Sequence, residues 1–179
     1  QGEAKDVGIP TIFVRLTGCP LRCNYCDTTY AFKGNNPLTI DSVLAEIQQY
    51  NTSYVCVTGG EPLAQKNCLK LLELLIDNNY KVSLETSGSI DISSVNDGVS
   101  IVMDLKTPSS TECHQNLYEN VPLLKDKDQL KFVIANRDDF DWCCDILEKH
   151  QTPAGALFSP VYESLKPAQL ADWILEKQL

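Results

Sequence analysis

Three cysteines crowd into one short stretch of the chain, at Cys19, Cys23 and Cys26. This spacing lets three thiolates converge on one inorganic centre from a single loop, and it leaves one coordination position of that centre open. A closed zinc site needs a fourth cysteine or histidine, but the histidines, His114 and His150, lie far along the chain. Soft thiolates at close spacing favour an iron–sulfur cluster. A zinc site and a set of unrelated buried thiols are the alternatives.

Polar and glycine-rich motifs follow four of the predicted strands. They are Thr58-Gly59-Gly60-Glu61-Pro62, Glu85-Thr86-Ser87-Gly88, Asp104-Leu105-Lys106 and Ser159-Pro160-Val161-Tyr162. Because the carboxyl ends of parallel strands meet at one edge, we expect these motifs to surround one site. Three of the four also have a structural alternative: a tight turn at Gly59-Gly60, a solvated strand end at Glu85, and an ion pair between Asp104 and Lys106.

The elements that must position these residues are predicted from periodicity, since short β-branched runs alternate with longer amphipathic stretches. This pattern is typical of an α/β fold, and we expect a partial TIM-like barrel of about six parallel β/α units, formed by residues 1–179 as a single domain. Thr39 is the expected N-cap of the first helix, and Asn78-Asn79 the expected end of the second. The predicted strands are 11–17, 54–58, 81–86, 100–106, 129–134 and 156–159, and the predicted helices are 40–50, 67–79, 111–125, 138–150 and 167–179.

Composition excludes several classes of function. The 15 Lys and Arg residues against 24 Asp and Glu give a net charge of −9, so the chain repels polyanions and nonspecific nucleic-acid binding is not expected. The longest apolar run is too short to span a membrane. Eight cysteines, three of them clustered, indicate a reducing compartment, and we expect a cytoplasmic protein. The chain begins with Gln1-Gly2-Glu3 and shows no leader pattern, so we expect residues to be missing before it.

The cysteine spacing, in a loop after the first strand, together with the strand-end motifs, resembles the radical S-adenosylmethionine (SAM) superfamily. The resemblance implies that the three cysteines hold a 4Fe-4S cluster whose fourth iron binds the amino and carboxylate groups of SAM. One electron then cleaves SAM to methionine and a 5′-deoxyadenosyl radical, which abstracts a substrate hydrogen. A flavodoxin or ferredoxin is the expected electron donor. The implied SAM contacts are Gly60, Glu61, Glu85, Ser87, Asp104, Lys106, Ser159, Pro160, Val161 and Tyr162.

Three further features, Gln1-Gly2-Glu3, Arg15 and Cys26-Asp27-Thr28, resemble the 7-carboxy-7-deazaguanine synthase family of queuosine and deazapurine biosynthesis. The resemblance implies that Thr28 binds Mg²⁺. It also implies a set of pterin-binding residues, namely Gln1, Gly2, Glu3, Arg15 and Thr58. The chemistry is consistent, because a carboxamide and a carboxylate match the edge of a pterin and a guanidinium matches a substrate carboxylate. Strand alternation places Arg15 on the face it shares with Phe13.

The reaction that this family carries out converts 6-carboxytetrahydropterin to 7-carboxy-7-deazaguanine, with hydrogen abstraction beside the carboxylate, ring contraction and loss of ammonia. A glycyl-radical-enzyme activase is the alternative, because it shares the cysteine loop, the Gly-Gly-Glu-Pro turn and the Asp-Leu-Lys strand end. A zinc-binding interaction module is a second alternative. For single residues, Arg15 could instead form a surface salt bridge, and Thr28 could cap the loop.

Two departures from the family pattern stand out. Position 4 is Ala4 where the family has glycine, and the family continues beyond the position of Leu179 into another strand and a pocket-lining residue.

A homodimer is expected. The other cysteines are interpreted as packing thiols, not as ligands of an auxiliary cluster. These are Cys56, Cys68, Cys113, Cys143 and Cys144.

Overall fold

Six parallel strands form one sheet in the computed structural model, which describes residues 1–34 and 36–179. The order in the sheet is the order in the chain, and within the described residues β1 and β6 each pair on one side only. The sheet is therefore an open, partial barrel, as predicted. The strands are β1 (Ile12–Leu16), β2 (Tyr54–Gly59), β3 (Lys81–Thr86), β4 (Ser100–Asp104), β5 (Gln129–Ile134) and β6 (Gly155–Pro160).

Four helices accompany the sheet, and each was predicted. Thr39 caps the first, because its hydroxyl accepts a hydrogen bond from the Ser42 backbone N–H at 3.1 Å. The second ends at Asp77 with Asn78 as its C-cap, followed by Asn79 at a positive φ of 63°. The helices are α1 (Ile40–Ile47), α2 (Cys68–Asp77), α3 (Arg137–Lys149) and α4 (Pro167–Lys177).

The predicted helix over residues 111–125 is wrong. This segment forms two short 3₁₀ turns, Cys113–Gln115 and Tyr118–Leu123. Asn116 bonds both the backbone N–H and the carbonyl of Lys106, at 2.9 and 2.8 Å, and Asn120 donates to the Ile90 carbonyl at 2.8 Å. These side chains fasten the segment to other loops, and Pro122 cannot donate a helical hydrogen bond, so an α-helix does not form.

Two apolar clusters hold the helices against the outer face of the sheet. One joins β1–β3 to α2 and includes Leu72 and Leu75, both fully buried. The other joins β4–β6 to α3 and α4 and includes Phe132 and Phe140. Alternation along β5 turns Leu130, Phe132 and Ile134 toward this core, so its other residues lie on the inner face.

The parallel register aligns the inner-face residues of neighbouring strands. Arg15 of β1 lies opposite Thr58 of β2, and Glu85 of β3 lies opposite Val102 of β4. Asp104 of β4 in turn lies opposite Lys131 of β5. The polar side chains of the inner face are thus arranged in layers across the curved sheet. No helix in the described part of the chain is long and apolar enough to cross a bilayer.

Candidate functional site

A cavity of about 910 Å³ opens on the inner face of the sheet, beside the carboxyl ends of the strands. All of the predicted site residues except Glu61 line it. Those that do are Gln1, Gly2, Glu3, Arg15, Cys19, Cys23, Cys26, Thr28, Thr58, Gly60, Glu85, Ser87, Asp104, Lys106, Ser159, Pro160, Val161 and Tyr162. Segments widely separated in sequence therefore meet at one place.

The cysteine loop is fixed on several sides. The Gly18 N–H donates to the Ala31 carbonyl at 2.7 Å, and the Arg22 guanidinium donates to the Cys19 carbonyl at the same distance. The backbone N–H of Arg22 also donates to the Glu112 carboxylate at 2.6 Å. Internal bonds and a contact with the loop after β4 therefore hold the loop together.

The three thiols fit an iron–sulfur cluster by their chemistry. All three line the same cavity, although no three candidate ligands in residues 1–34 and 36–179 lie at metal-binding spacing. Burial raises the pKa of both Cys19 and Cys23, and a bound cationic metal centre would favour their thiolate forms. Soft sulfur donors from one loop suit such a centre.

A closed zinc site is not supported, because neither histidine reaches this cavity. His150 stacks on Tyr118, with 5.1 Å between ring centroids, at the end of α3. His114 contacts the Gln115 side chain at 3.1 Å. Neither residue lines the cavity, so the loop has no histidine to complete a tetrahedral zinc site.

The Gly59-Gly60 pair lies directly against the cysteine loop. The Gly60 N–H donates to the Leu16 carbonyl at 3.0 Å, and the Glu61 N–H donates to the Gly18 carbonyl at 2.8 Å. Gly59 has a φ of +150°, and a Cβ on it would collide with the Leu16 carbonyl oxygen. The tight turn expected as the alternative is therefore present. It also brings backbone to the cavity and supports the cysteine loop.

The side chain of Glu61 does not line the cavity. Its side chain is fully buried, and its carboxylate accepts hydrogen bonds from the Ser87 N–H at 2.6 Å, the Ser87 hydroxyl at 2.5 Å and the Leu63 N–H at 3.0 Å. The Thr86 hydroxyl lies 2.9 and 3.0 Å from its two oxygens. The Glu61 side chain thus has a supporting role, because it joins the ends of β2 and β3, and its predicted contact with SAM stays a prediction.

The ion pair expected as an alternative at the end of β4 is present. Lys106 Nζ lies 2.9 Å from Asp104 Oδ2, and both residues line the cavity. Burial alone would lower the pKa of Lys106, but the carboxylate of Asp104 and the thiol of Cys23 outweigh it and raise that pKa. Asp104 Oδ1 is buried with no hydrogen-bond partner. One acceptor of the pair is therefore left without a partner among the described residues.

Glu85 is not a solvated strand end. Its Oε2 accepts a hydrogen bond from the Thr58 hydroxyl at 2.9 Å, and its Oε1 accepts one from the Gln1 side chain at 3.2 Å. Gln1 and Thr58, both predicted from the family to bind substrate, are thus joined through one carboxylate. Glu3, another polar member of that set, pairs with Lys131 at 2.8 Å.

Arg15 projects from β1 on the inner side with Phe13, as alternation predicts, and both line the cavity. Its guanidinium carbon lies 5.9 Å from the centroid of the Tyr30 ring. None of the ion pairs in the described part of the chain includes Arg15, so the surface salt bridge is not observed. A guanidinium of this kind can bind a carboxylate of a ligand.

Thr28 precedes the 3₁₀ turn Thr29–Phe32, but its side chain makes no capping hydrogen bond. The hydroxyl lies 3.7 Å from Cys26 Sγ, beside the cavity. The loop-cap alternative is therefore not supported, and Thr28 borders the cavity.

Sequence reasoning missed several residues of the cavity. Lys131 is the most informative, because it is a charged residue in the middle of a strand. The alternating polar and apolar residues of Gln129–Ile134 could have indicated an inward polar face. Tyr25 also lines the cavity; burial raises its pKa to about 12, although a hydrogen bond with Thr107 opposes the shift. The other lining residues that were not predicted are Phe13, Leu21, Asp27, Phe32, Gly59, Thr86, Val102, Val133 and Ser164.

None of the five other cysteines is among the residues that line the cavity. Cys68 and Cys143 are buried in the two apolar clusters, and burial raises the pKa of Cys68 to about 12. Cys56 is buried in β2, and all eight cysteines of the chain are unpaired. Packing accounts for Cys68 and Cys143, in agreement with the prediction.

Comparison with known proteins places these observations in a family. Residues 13–127 match the model of the radical SAM superfamily. A 7-carboxy-7-deazaguanine synthase of Koribacter versatilis (strain Ellin345) is 37% identical, and the alignment covers 100% of this chain and 87% of that protein. The enzyme of the same name from Methanospirillum hungatei JF-1 is 38% identical over 100% of this chain and 76% of the relative. That from Chlorobaculum tepidum is 36% identical over 100% and 84%.

Solved structures of low identity share the fold. The crystal structure of Streptococcus suis SuiB bound to S-adenosylmethionine superposes with a TM-score of 0.63 at 14% identity, over 94% of this chain and 44% of that one. Native anSMEcpe, with bound AdoMet and a Cp18Cys peptide, gives a TM-score of 0.58 at 15% identity, over 93% and 58%. The chain thus corresponds to about half the length of these two proteins.

Proposed function

The chain belongs to the radical SAM superfamily and, within it, to the 7-carboxy-7-deazaguanine synthase family, and from that premise we propose its reaction. It converts 6-carboxy-5,6,7,8-tetrahydropterin to 7-carboxy-7-deazaguanine with loss of ammonia. The chain is therefore an enzyme, a carbon–nitrogen lyase that uses an iron–sulfur cluster and SAM.

One observation carries the proposal: two sets of residues that differ in chemistry line the same cavity. The cysteine loop contributes three thiols, and the N-terminal segment with β1 and β2 contributes a carboxamide, a carboxylate, a guanidinium and a hydroxyl. These groups are Gln1, Glu3, Arg15 and Thr58. Placing a radical centre beside one substrate C–H bond requires such proximity.

The polar groups of this set have different roles in binding a pterin. Arg15 presents a guanidinium with no carboxylate partner among the described residues, which suits the carboxylate of the substrate. Glu3 and Gln1 supply the acceptors and donors that the edge of a pyrimidinone ring needs. Thr58, tied to Glu85 at 2.9 Å, fixes the wall between them.

When bound, the cluster and SAM supply the carbon-centred radical that removes a substrate hydrogen. Cys19, Cys23 and Cys26 would hold the cluster, and the backbone of Gly60 with the Asp104–Lys106 pair would face SAM. The segment Ser159-Pro160-Val161-Tyr162 would close the opposite wall. Thr28 would offer its hydroxyl to Mg²⁺, with water and substrate oxygens completing the coordination.

The activase alternative shares only the cysteine loop and the strand-end motifs, and it does not account for Glu3 and Arg15 lining the cavity. The relatives that match the full chain carry the name of the pterin-converting enzyme. A homodimer, a flavodoxin or ferredoxin as electron donor, and a cytoplasmic location are part of the proposal. The eight unpaired cysteines are consistent with a reducing compartment.

The test is anaerobic reconstitution with iron and sulfide, followed by incubation with SAM, a reductant, Mg²⁺ and 6-carboxytetrahydropterin. We expect 7-carboxy-7-deazaguanine, identified by mass and ultraviolet spectrum, in step with release of ammonia. Iron content with SAM cleavage but no pterin product would contradict the proposed substrate. A reconstituted protein that contains about one zinc per chain and no iron would contradict the enzyme assignment itself.

A matched pair of cysteine variants tests the cluster ligands. Cys23→Ala removes a cavity-lining thiol, and we expect it to lose iron and activity while the chain stays folded. Cys144→Ala removes a half-buried thiol on α3, distant from the cavity lining, and we expect it to retain both. Full iron content in Cys23→Ala would contradict the ligand assignment.

A further inference from the structure

Lys131 has no role in the proposed function, yet it lies on the inner face of β5 and lines the cavity. Its Nζ lies 2.8 Å from Glu3 Oε2, and its side chain is 15% exposed against 50% for that of Glu3. Its neighbour in register, Asp104, pairs instead with Lys106. A largely buried lysine side chain thus reaches across to the N-terminal segment.

The N-terminal segment is a small closed loop. The backbone nitrogen of Gln1 donates to the Ile9 carbonyl at 2.7 Å, and the Gly8 N–H donates to the Gln1 carbonyl at 3.0 Å. A further bond, from the Val7 N–H to the Ala4 carbonyl at 3.2 Å, lies inside the loop. These contacts shape residues 1–9 but do not attach them to the barrel.

Three contacts attach the loop to the inner face of the sheet. The side chain of Gln1 donates to Glu85 of β3 at 3.2 Å, and the Lys5 N–H donates to the Gln129 side chain of β5 at 2.8 Å. The Lys131–Glu3 pair is the third, and it alone joins two formal charges. The Gln1–Glu85 bond has one ionised partner and the Lys131–Glu3 bond has two, so we take this pair as the strongest of the three attachments.

We propose that Lys131 is a positioning residue for substrate binding, and that it holds Glu3 in place so that the carboxylate meets the amino-pyrimidinone edge of the pterin. This inference rests on the proposed function. A carboxylate has about four lone-pair positions, so one bond to Lys131 leaves the other positions for the ring N–H and the exocyclic amino group. The ammonium also fixes the rotamer of a half-exposed side chain before substrate arrives.

Lys131→Met tests the inference, because methionine keeps the length of the side chain and removes its charge. We expect the KM for the pterin to rise about tenfold while kcat, iron content and SAM affinity stay near those of the wild type. Lys131→Arg restores a cation in reach of Glu3, and we expect it to recover most of the lost affinity. Lys125→Met is the matched control, since it breaks an exposed lysine–carboxylate pair with Asp97 and should leave the KM unchanged.

A double-mutant cycle separates positioning from direct contact. If Lys131 acts through Glu3, then Lys131→Met adds no further rise in KM to a Glu3→Ala background. Effects that multiply would mean that Lys131 touches the substrate itself, and they would overturn the inference. An unchanged KM in Lys131→Met alone would also overturn it.

Hydrogen exchange supplies a readout that needs no turnover. In reconstituted enzyme without substrate, we expect amide exchange of residues 1–9 to accelerate in Lys131→Met and to remain slow in Lys125→Met. Equal protection in all three proteins would overturn the tethering role. If the wild type fails to convert the pterin, the proposed function fails, and the exchange measurement still decides whether Lys131 holds the segment.

Discussion

Gly60 lies directly beneath Cys19. A Cβ built on Gly60 would come within 2.9 Å of the Cys19 Cβ and would collide with the Gly18 carbonyl oxygen. The Gly18 carbonyl is already bonded to the Glu61 N–H at 2.8 Å, so the loop cannot move away without losing that bond. Cys19 can therefore occupy its position only because residue 60, after β2, is a glycine.

Gly60→Ala should displace the cysteine loop. Overpacking at such a site costs about 1–3 kcal/mol, and because the clash is with the loop, cluster loading should suffer together with stability. The measurements are iron per chain after reconstitution and the midpoint of thermal unfolding. Gly155→Ala is the control, because a Cβ there meets nothing within 4 Å. Normal iron content in Gly60→Ala would show that the cysteine loop accommodates the added Cβ, and it would contradict the prediction.

Glu61→Gln should destabilise the chain although the two residues have nearly the same shape. Each carboxylate oxygen accepts a backbone N–H, Oε1 from Leu63 and Oε2 from Ser87, so either orientation of the amide turns its NH₂ group toward a donor. One buried donor left unpaired costs about 1–3 kcal/mol. Urea unfolding measures the loss. Glu73→Gln, on the exposed side of α2, should change the free energy of unfolding by less than about 0.5 kcal/mol. Equal stability of the two variants would contradict the supporting role of Glu61.

Features that depend on strand direction and alternation could be predicted from the sequence. Arg15 was placed on the inner face from its position between Val14 and Leu16, and the motifs after β2, β3, β4 and β6 were placed together because parallel strands share one edge. Both expectations depend on geometry within a few residues of each strand end. This is why the sequence alone was enough for them.

Features that depend on a distant partner could not be predicted in this way. The partner of Lys131 is Glu3, 128 residues earlier, and nothing local to β5 indicates it. Glu61 belongs to a motif that does reach the site, but the direction of its side chain is set by donors at the end of β3. Asn116 draws its segment to Lys106, and that tertiary contact prevails over the helical pattern of residues 111–125.

Ala4 occupies a position that favours glycine, with a φ of 64°. An L-residue in the left-handed region carries a cost of about 1 kcal/mol that glycine does not. Ala4→Gly should therefore slow amide exchange in residues 1–9 and should not weaken substrate binding. Ala45→Gly, within α1, is the control, because the same change should have the opposite effect inside a helix. It should destabilise the chain by about 1 kcal/mol. Faster exchange in Ala4→Gly would mean that flexibility of the free segment outweighs the backbone strain.

Variants of Thr28 test whether the loop beside Cys26 binds Mg²⁺. Its hydroxyl makes no capping bond and lies 3.7 Å from Cys26 Sγ, so Thr28→Ala should leave stability and the cluster spectrum close to wild type. It should weaken the dependence of turnover on Mg²⁺ concentration, whereas Thr28→Ser, which keeps the oxygen, should retain it. The measurement is turnover against Mg²⁺ for all three proteins.

Thr39→Ala calibrates what a true cap contributes in this chain, because the Thr39 hydroxyl accepts the Ser42 N–H at the start of α1. We expect it to lose about 0.5–2 kcal/mol of stability and to keep its response to Mg²⁺. A comparable loss of stability in Thr28→Ala, with reduced iron at every Mg²⁺ concentration, would assign Thr28 to the loop instead. An unchanged Mg²⁺ response in Thr28→Ala would likewise remove it from the metal site, because a hydroxyl that binds the cation cannot be deleted without changing the concentration at which turnover saturates.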